Sequence, residues 1–222
     1  VSAKNKKPYK TQQCFGGNGN EIVKAVMASD SGNYIIIAET ASRNGDVENH
    51  YGSNDIWIFE LTPSFKINWQ TTIGGSGYDN FTMAKKLPNG NLLLTGTTES
   101  GNGSFSENKG KFDAWLVELD KTTHQIAWQT TLGGGQTEFI NDLKVFDDGS
   151  FIIGGSTFSD NGDIGLNKGI SDIWIAKFDK LKTKLWSKTY GENRFESLNN
   201  IVIKENGNLL LIGETESNTN SI

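Results

Sequence analysis

The sequence predicts an all-β fold, a β-propeller whose blades are four-stranded antiparallel sheets. First, a unit recurs along the 222-residue chain, because Trp69, Trp128 and Trp186 are 59 and 58 residues apart. Second, each complete unit holds four segments of strand length separated by turns. Third, the chain has 26 glycines and 6 tryptophans but only 3 prolines, a composition typical of short strands and tight turns.

The repeat is clearest in the last strand of each unit. The segment 69–75 (Trp-Gln-Thr-Thr-Ile-Gly-Gly) is nearly identical to 128–134, and related copies occur at 11–17 and 186–191. The turn glycines keep the same spacing, as do the six tryptophans, two in each full repeat: Gly32, Gly90, Gly149, Gly207; Trp57, Trp115, Trp174; Trp69, Trp128, Trp186. We therefore divide the single domain, residues 1–222, into repeats at about 11–68, 69–127, 128–185 and 186–222, the last one partial.

The second repeat shows how the four strands are arranged. We predict strands over 81–87, 91–98, 112–119 and 125–132, with a hairpin turn at Asn89-Gly90 between the first two. The second strand is apolar over 92–94, as are the matching segments of the other repeats. Strands covered on both faces have this pattern, so each blade is expected to pack between two neighbours.

The ends of the chain leave the overall architecture open. A fourth-strand copy lies at about Tyr9 to Phe15, and a second-strand copy at about 208–215 precedes the end. In a closed ring, residues 1–15 would supply a strand to the last blade, which would still lack its third strand. The chain is then a four-bladed ring with one incomplete blade, a fragment of a longer array, or a linear stack, which protects its edges less well.

Composition excludes several classes of partner. The net charge is −5 and no basic stripe occurs, so we predict no nucleic-acid partner. No apolar run approaches the roughly 18 residues of a membrane span, and the polar N-terminus is not a signal peptide. Cys14 is the single cysteine, so the fold forms no internal disulfide; it aligns with strand threonines in the other repeats.

No catalytic centre is recognisable, and we predict a protein that is not an enzyme and binds no cofactor. His50 and His124 fall in connections at opposite ends of a blade, so they cannot share a metal or a catalytic role. The Gly-Gly pairs lack the lysine and helix of a phosphate-binding loop. Asp160 and Asp163 form a weak metal candidate around Gly162, but an Asx-type turn is the favoured interpretation.

Three aspartates recur two residues before a tryptophan: Asp55, Asp113 and Asp172 precede Trp57, Trp115 and Trp174. A residue repeated in every blade usually serves the blade, because an active site is built once. We therefore expect each carboxylate to accept backbone N–H hydrogen bonds from the preceding loop. The alternative is a ring of carboxylates around a channel that binds a cation or a sugar.

The long loops between the second and third strands differ most among the repeats. Binding sites on repeat scaffolds tend to lie in such loops, so we predict contacts to a protein or glycan partner there. The candidate contact residues are Arg43, His50, Tyr51, Phe105, Lys109, Phe158 and Lys168. Ordinary solvated loops, with their few aromatic side chains tucked beneath them, are the alternative interpretation.

The repeat motif resembles a tandem repeat of secreted and cell-surface bacterial proteins. The motif is carried by 159–163 (Ser-Asp-Asn-Gly-Asp), 169–174 and Lys177-Phe178-Asp179, and the resemblance covers about residues 11–217. Members often end in a type IX secretion sorting domain or are surface lipoproteins. The resemblance implies a propeller-like fold and a location outside the cell or on the outer cell surface. The spacing of Asp120 and Trp128 is also similar to that of quinone-binding propellers, but Thr62-Pro63 replaces the aspartate in the first repeat.

Three functions therefore stand as hypotheses. The leading one is an exported, non-enzymatic binding or scaffold module that acts through loops at one end of the propeller. A carbohydrate-active enzyme would instead need two carboxylates that face one pocket and are not matched in every blade. A structural spacer in a long surface protein is the third.

Overall fold

The computed structural model describes residues 12–217, which form fourteen β-strands and no helix. No segment of that range therefore provides a helix long and apolar enough to cross a membrane. The strands are Glu21–Ala28 (β1), Tyr34–Thr40 (β2), Asp55–Leu61 (β3), Ile67–Ile73 (β4), Asp79–Lys86 (β5), Leu92–Thr98 (β6), Asp113–Leu119 (β7), Ile126–Leu132 (β8), Glu138–Val145 (β9), Phe151–Thr157 (β10), Asp172–Phe178 (β11), Lys184–Tyr190 (β12), Glu196–Ile203 (β13) and Leu209–Thr215 (β14).

The strands form consecutive antiparallel sheets in chain order. The first sheet is β1–β4, the second β5–β8 and the third β9–β12, and β13 and β14 form a two-stranded fourth sheet. The prediction of an all-β fold with four-stranded repeat units is confirmed. In the second repeat the predicted strands differ from β5–β8 by one or two residues at most.

Consecutive sheets pack face to face through apolar side chains. Leu94 and Trp115 of the second sheet lie in one core with Ile37 and Ile58 of the first. The second sheet packs in the same way on the third, and the third on the fourth. We call these contacts junctions 1, 2 and 3. The core is therefore a series of layers, each made by the side chains of two neighbouring sheets.

The repeated tryptophans occupy two kinds of place. Trp57, Trp115 and Trp174 of the third strands are almost completely buried, and each indole N–H donates a hydrogen bond. The fourth-strand residues Trp69, Trp128 and Trp186 are half-buried beside the junctions. The spacing in the sequence thus reflects two packing positions that recur in each four-stranded sheet.

The first strands contact one another from sheet to sheet. β1 contacts β5, β5 contacts β9 and β9 contacts β13. Parallel bridges connect the start of each third strand with the residue before the next first strand: Asn54–Tyr78, Phe112–Thr137 and Ser171–Phe195. Such stacking of the first strands is compatible with a radial, propeller-like arrangement.

The predicted closing strand is not formed within the described residues. Of the segment Tyr9 to Phe15, the part before residue 12 lies outside the described residues, and 12–15 form no strand. The placement of Cys14 in a strand was therefore wrong; this residue is exposed outside any strand. Phe15 instead packs on Phe59 of the first sheet, with ring centroids 6.0 Å apart. Over residues 12–217 no sheet closes a ring.

Candidate functional site

The antiparallel sheets place their connections at two opposite ends. The long connections after the second strands lie at one end, which we call the loop end. The short connections after the first and third strands lie at the other, the turn end. His50 belongs to a loop-end connection and His124 to a turn-end connection, as the sequence predicts. The two imidazoles therefore cannot act in one site.

At the loop end, recurring polar side chains hold each long loop on the glycine-rich segment before its own sheet. Asn102 Oδ1 accepts a hydrogen bond from the backbone N–H of Ser76 at 2.8 Å, and Ser100 Oγ accepts one from Gly77 at 2.8 Å. The first and third repeats make the same bonds with Asn44, Ser42, Asn161 and Ser159. These repeated residues satisfy backbone groups of the fold.

The weak metal candidate belongs to the same network. Asp163 Oδ2 accepts the Gly133 N–H at 3.4 Å, and its carboxylate pairs with Lys109 at 2.5 Å and Lys184 at 3.3 Å. Burial raises the pKa of Asp163, but these two lysines more than offset it, so the pKa lies below its usual value. Asp160 is exposed. In residues 12–217, no three His, Cys, Asp or Glu side chains are grouped to hold a metal.

The three recurring aspartates are completely buried at the starts of the third strands. Asp55 and Asp113 each accept a backbone N–H at 2.7 Å, from Tyr51 and Lys109, and Asp172 accepts one from Lys168 at 3.2 Å. The hydrogen bonds that we predicted for them are present. Their second oxygen, Oδ1, has no hydrogen-bond partner in any of the three.

A second set of recurring acids, which sequence analysis missed, begins each first strand: Glu21, Asp79, Glu138 and Glu196. Asp79 accepts the Gly75 N–H at 2.7 Å and Glu138 the Gly134 N–H at 2.9 Å. A recurring threonine hydroxyl also donates to each acid. Their spacing follows that of the tryptophans, but the exchange of aspartate for glutamate obscured the pattern.

The two sets of acids meet at each junction around a glycine. A Cβ added to Gly133 would lie 2.2 Å from Asp113 Oδ1 and 2.8 Å from Glu138 Oε2, so only glycine fits there. Gly191 stands in the same way between Asp172 and Glu196. Burial raises the pKa of both Asp79 and Asp113 to about 6, and the nearby Glu138 carboxylate contributes at Asp113. Because Asp55, Asp113 and Asp172 are fully buried, a dissolved substrate has no access to them.

The predicted partner-binding residues do not form one surface. Phe105 is only 3% exposed and packs on Trp115, with ring centroids 5.7 Å apart, so its assignment as a contact residue was wrong. Its loop folds back into the core of junction 1, where burial of the ring is favourable. His50 is also enclosed; its side chain is 5% exposed and its Nδ1 lies 3.6 Å from Asp55.

The remaining candidates belong to three separate loops. Tyr51 is 51% exposed, and Arg43 donates to the Gly52 carbonyl at 3.2 Å. Lys109 pairs with Glu107 as well as Asp163. Phe158 packs edge-on between Phe139 and Phe195, and Lys168 is exposed in the third loop. These residues remain candidates for partner contacts without a shared site.

A groove of about 450 Å³ opens at the turn end of junction 1. Its apolar floor is made by Met27, Ile35, Leu92 and Leu119, and Trp69 forms one wall. The imidazole of His124 stacks on the Trp69 indole, with centroids 4.0 Å apart and an interplanar angle of 8°. We call it the Trp69 groove. Its polar rim contains Ser29, Asp30, Ser31, Glu60, Asn68, Lys86, Asp120, Lys121 and Thr122.

Junction 2 shows why the groove exists at junction 1. Phe151 and Phe178 stand at the repeat positions of Leu92 and Leu119, and both pack edge-on against Trp128, with centroids 6.4 and 6.3 Å away. The two rings also stack on each other at 4.8 Å. Phenylalanine thus fills at junction 2 the space that leucine leaves open at junction 1.

One residue in the turn between the third and fourth strands differs as well. His124 and Lys182 occupy the same turn position, and both have a positive φ, 56° and 67°. Lys182 reaches Glu118 at 2.6 Å, whereas His124 covers Trp69. Comparing the repeats residue by residue at 92, 119 and 124 would have pointed to this site. The partner-binding residues predicted from the sequence all lie in the long loops.

The carboxylates of the groove are ionised near neutral pH. Burial raises the pKa of Glu60, but hydrogen bonds from Ser29, Asn68, Asn33 and Ser31 outweigh it and bring the pKa below its usual value. The hydrogen bond and charge of Lys86 lower the pKa of Asp30. Backbone N–H groups of Thr123 and Thr122 lower that of Asp120. The groove thus offers acceptors around an apolar floor.

Comparison of the chain with protein-family models gives no match, and comparison with curated proteins gives none either. The resemblance to the repeat of secreted bacterial proteins therefore stays a prediction from sequence. The geometry of the molecule points to the Trp69 groove, because this space is open at junction 1 and filled by phenylalanine rings at junction 2.

Proposed function

We propose that this protein is a non-enzymatic binding module whose Trp69 groove holds one sugar unit of a glycan. The observation that carries the proposal is the difference between junctions: an aromatic wall and an open apolar floor at junction 1, and phenylalanine rings in the same place at junction 2. A feature needed only for the packing of two complete four-stranded sheets would recur at junction 2.

The chemistry of the groove suits a sugar. A pyranose has an apolar C–H face and a rim of hydroxyl groups, and the groove combines an indole and an aliphatic floor with a polar rim. Asp120 and Asp30 can accept hydrogen bonds from hydroxyls, and Asn68, Lys86 and Lys121 can donate them. The volume falls within the range of roughly 300–1000 Å³ that is usual for ligand sites.

The charge state of the groove favours binding over hydrolysis. Glycosidases of the usual two-carboxylate kind need one acid whose raised pKa keeps its proton near neutral pH. Asp30, Glu60 and Asp120 all have lowered pKa values, so none is suited to protonate a leaving group. The acids with raised pKa values are buried at the junctions. A spacer would need no groove, which makes that alternative weaker.

The setting that we propose is the cell exterior or the outer cell surface, and it depends on the sequence resemblance alone. The predicted loop contacts to a protein partner are compatible with this function, because the loop end lies opposite the groove.

The test is titration of the protein with a panel of mono- and oligosaccharides by calorimetry. We expect at least one sugar to bind, and Trp69→Ala and His124→Ala each to weaken binding roughly tenfold or more. Leu181→Ala, in the exposed turn between β11 and β12, is the matched control and should bind normally. Binding that survives Trp69→Ala and His124→Ala, or cleavage of the bound sugar, would contradict the proposal.

A further inference from the structure

Apolar side chains are exposed on the two outermost sheet faces. On the outer face of the first sheet, Val23 and Val26 are each 59% exposed and Tyr34 is 51% exposed. On the outer face of the fourth sheet, Val202, Leu210 and Ile212 are 39%, 43% and 46% exposed. We call these the front face and the back face. Isolated exposed apolar residues are common, but two clusters on opposite outer faces need a reason.

The internal junctions show what covers such faces. Phe81, Ala84 and Leu92 stand one repeat after Val23, Val26 and Tyr34, and all three pack in junction 1. Leu93 and Ile152 stand at the repeat position of Leu210 and are buried in junctions 2 and 3. A front-type face is therefore covered by a back-type face wherever two sheets meet inside the molecule.

Both exposed faces are limited to the first two strands of their sheets. On the first sheet, the outer part of the front face is already covered, because Phe15 and Val47 pack over Trp57 and Phe59. The part that stays open lies over β1 and the Tyr34 end of β2, because Ile36 and Ala38 farther along β2 are buried. The described fourth sheet consists of β13 and β14 alone, so the back face also lies on a first and a second strand. At the internal junctions, the first and second strands of one sheet contact the first strand of the next. β1 and β2 contact β5, and β9 and β10 contact β13.

We propose that the front face of one copy packs on the back face of a second copy, as a fourth junction formed between molecules. The contact is head-to-tail, because it joins two different faces, and each bound copy leaves one face free for another. Strands of seven or eight residues, two on each side, make a small interface. Association is therefore expected to be weak and to depend on protein concentration.

Sedimentation of the whole chain from about 1 µM to about 1 mM tests the contact. We expect the mean mass to rise with concentration. Val26→Glu blocks the front face and Leu210→Glu blocks the back face, so either variant alone should stay monomeric over this range. Leu181→Glu adds the same charge in an exposed turn outside both faces and should associate normally.

A mixture of the two blocked variants decides the geometry. Val26→Glu keeps a back face and Leu210→Glu keeps a front face, so an equimolar mixture should form 1:1 dimers and nothing larger. Thermal unfolding of each variant checks that it is folded. Val26 is 59% and Leu210 43% exposed, so folding should be retained in both variants.

Three results would overturn the proposal. Wild-type protein that stays monomeric at about 1 mM shows that the faces do not join copies. Association that persists in both variants shows another contact. The third result concerns a triple variant with Cys14→Ser, Val26→Cys and Leu210→Cys. A disulfide within single molecules of this variant shows that one chain closes on itself as a ring.

Discussion

Single residues in this protein are constrained mainly where two sheets meet. Asp113 Oδ2 accepts a hydrogen bond from the Lys109 N–H. Its other oxygen, Oδ1, has no hydrogen-bond partner and lies beside Gly133 and Glu138. A buried carboxyl of this kind favours its neutral form, and burial is the main reason that its pKa rises to about 6. Asp79, one junction earlier, has its pKa raised to about 6 for the same main reason.

We predict that Asp113→Asn gains stability relative to wild type as pH rises from about 4 to about 7. The folded protein holds the Asp113 proton more tightly than the unfolded chain, whose aspartates titrate near 3.8. The stability from this group is therefore fully present below about pH 4 and is lost as pH rises through about 6. The change should be on the order of 1–3 kcal/mol.

Urea unfolding of both proteins at several pH values measures this difference. Asp120→Asn is the control, since hydrogen bonds lower the pKa of Asp120 and its stabilising effect is instead lost as pH falls. A difference between Asp113→Asn and wild type that does not change with pH would show that Asp113 titrates normally in the folded state.

At the scale of elements, the same four strands make different junctions because a few side chains change size. Leu92 on β6 and Leu119 on β7 leave the Trp69 groove open, while Phe151 on β10 and Phe178 on β11 close the matching space. The second and third strands of the two sheets pair in the same register. A binding site thus arises from smaller side chains within a repeated frame.

The double variant Leu92→Phe/Leu119→Phe should fill the groove and reduce sugar binding by roughly tenfold or more, without loss of stability. The added rings enter space that is already open, so overpacking is not expected. Calorimetric titration and thermal unfolding on the same samples measure both effects. Phe178→Leu, the reverse change at junction 2, should instead destabilise by about 1–2 kcal/mol, because it removes buried contacts. Unchanged sugar binding in the filled variant would place the ligand elsewhere.

At the scale of the whole molecule, stability is shared between neighbouring sheets. Sheets that follow one another in the chain contact each other, as in other repeat proteins. The second sheet is enclosed on both faces, and β6 and β7 are buried over their full length. The fourth sheet is packed on one face only, and most of β14 is exposed.

Amide hydrogen exchange should therefore be fastest in β13 and β14 and slowest in β6 and β7. Local opening costs less free energy where few apolar contacts are lost. Exchange followed by mass spectrometry on protein at about 1 µM keeps any association between copies small. Protection raised selectively in β1, β2, β13 and β14 at high concentration would support the head-to-tail contact. Equal protection of all four sheets at low concentration would show that the outer sheets are already covered.

Much of the fold could be predicted from the sequence because strand formation depends on local pattern. Asn89-Gly90 selects a hairpin, the apolar run 92–94 marks a strand covered on both faces, and the even spacing of tryptophans sets the repeat. The role of Asp55, Asp113 and Asp172 as acceptors of backbone N–H hydrogen bonds could be inferred for the same reason. Each carboxylate accepts from a residue only four positions earlier in the chain.

The Trp69 groove depends on contacts between residues far apart in the chain, and no local sequence pattern specifies such contacts. Trp69 meets His124 across junction 1, and Phe105 turns inward because the neighbouring sheet offers it a buried place. The sequence determined which strands form and in what order, because turn residues and the pattern of apolar and polar side chains act over a few residues. Only the tertiary structure decided where the groove opens and which faces stay uncovered, because both depend on how the side chains of two sheets fill the space between them.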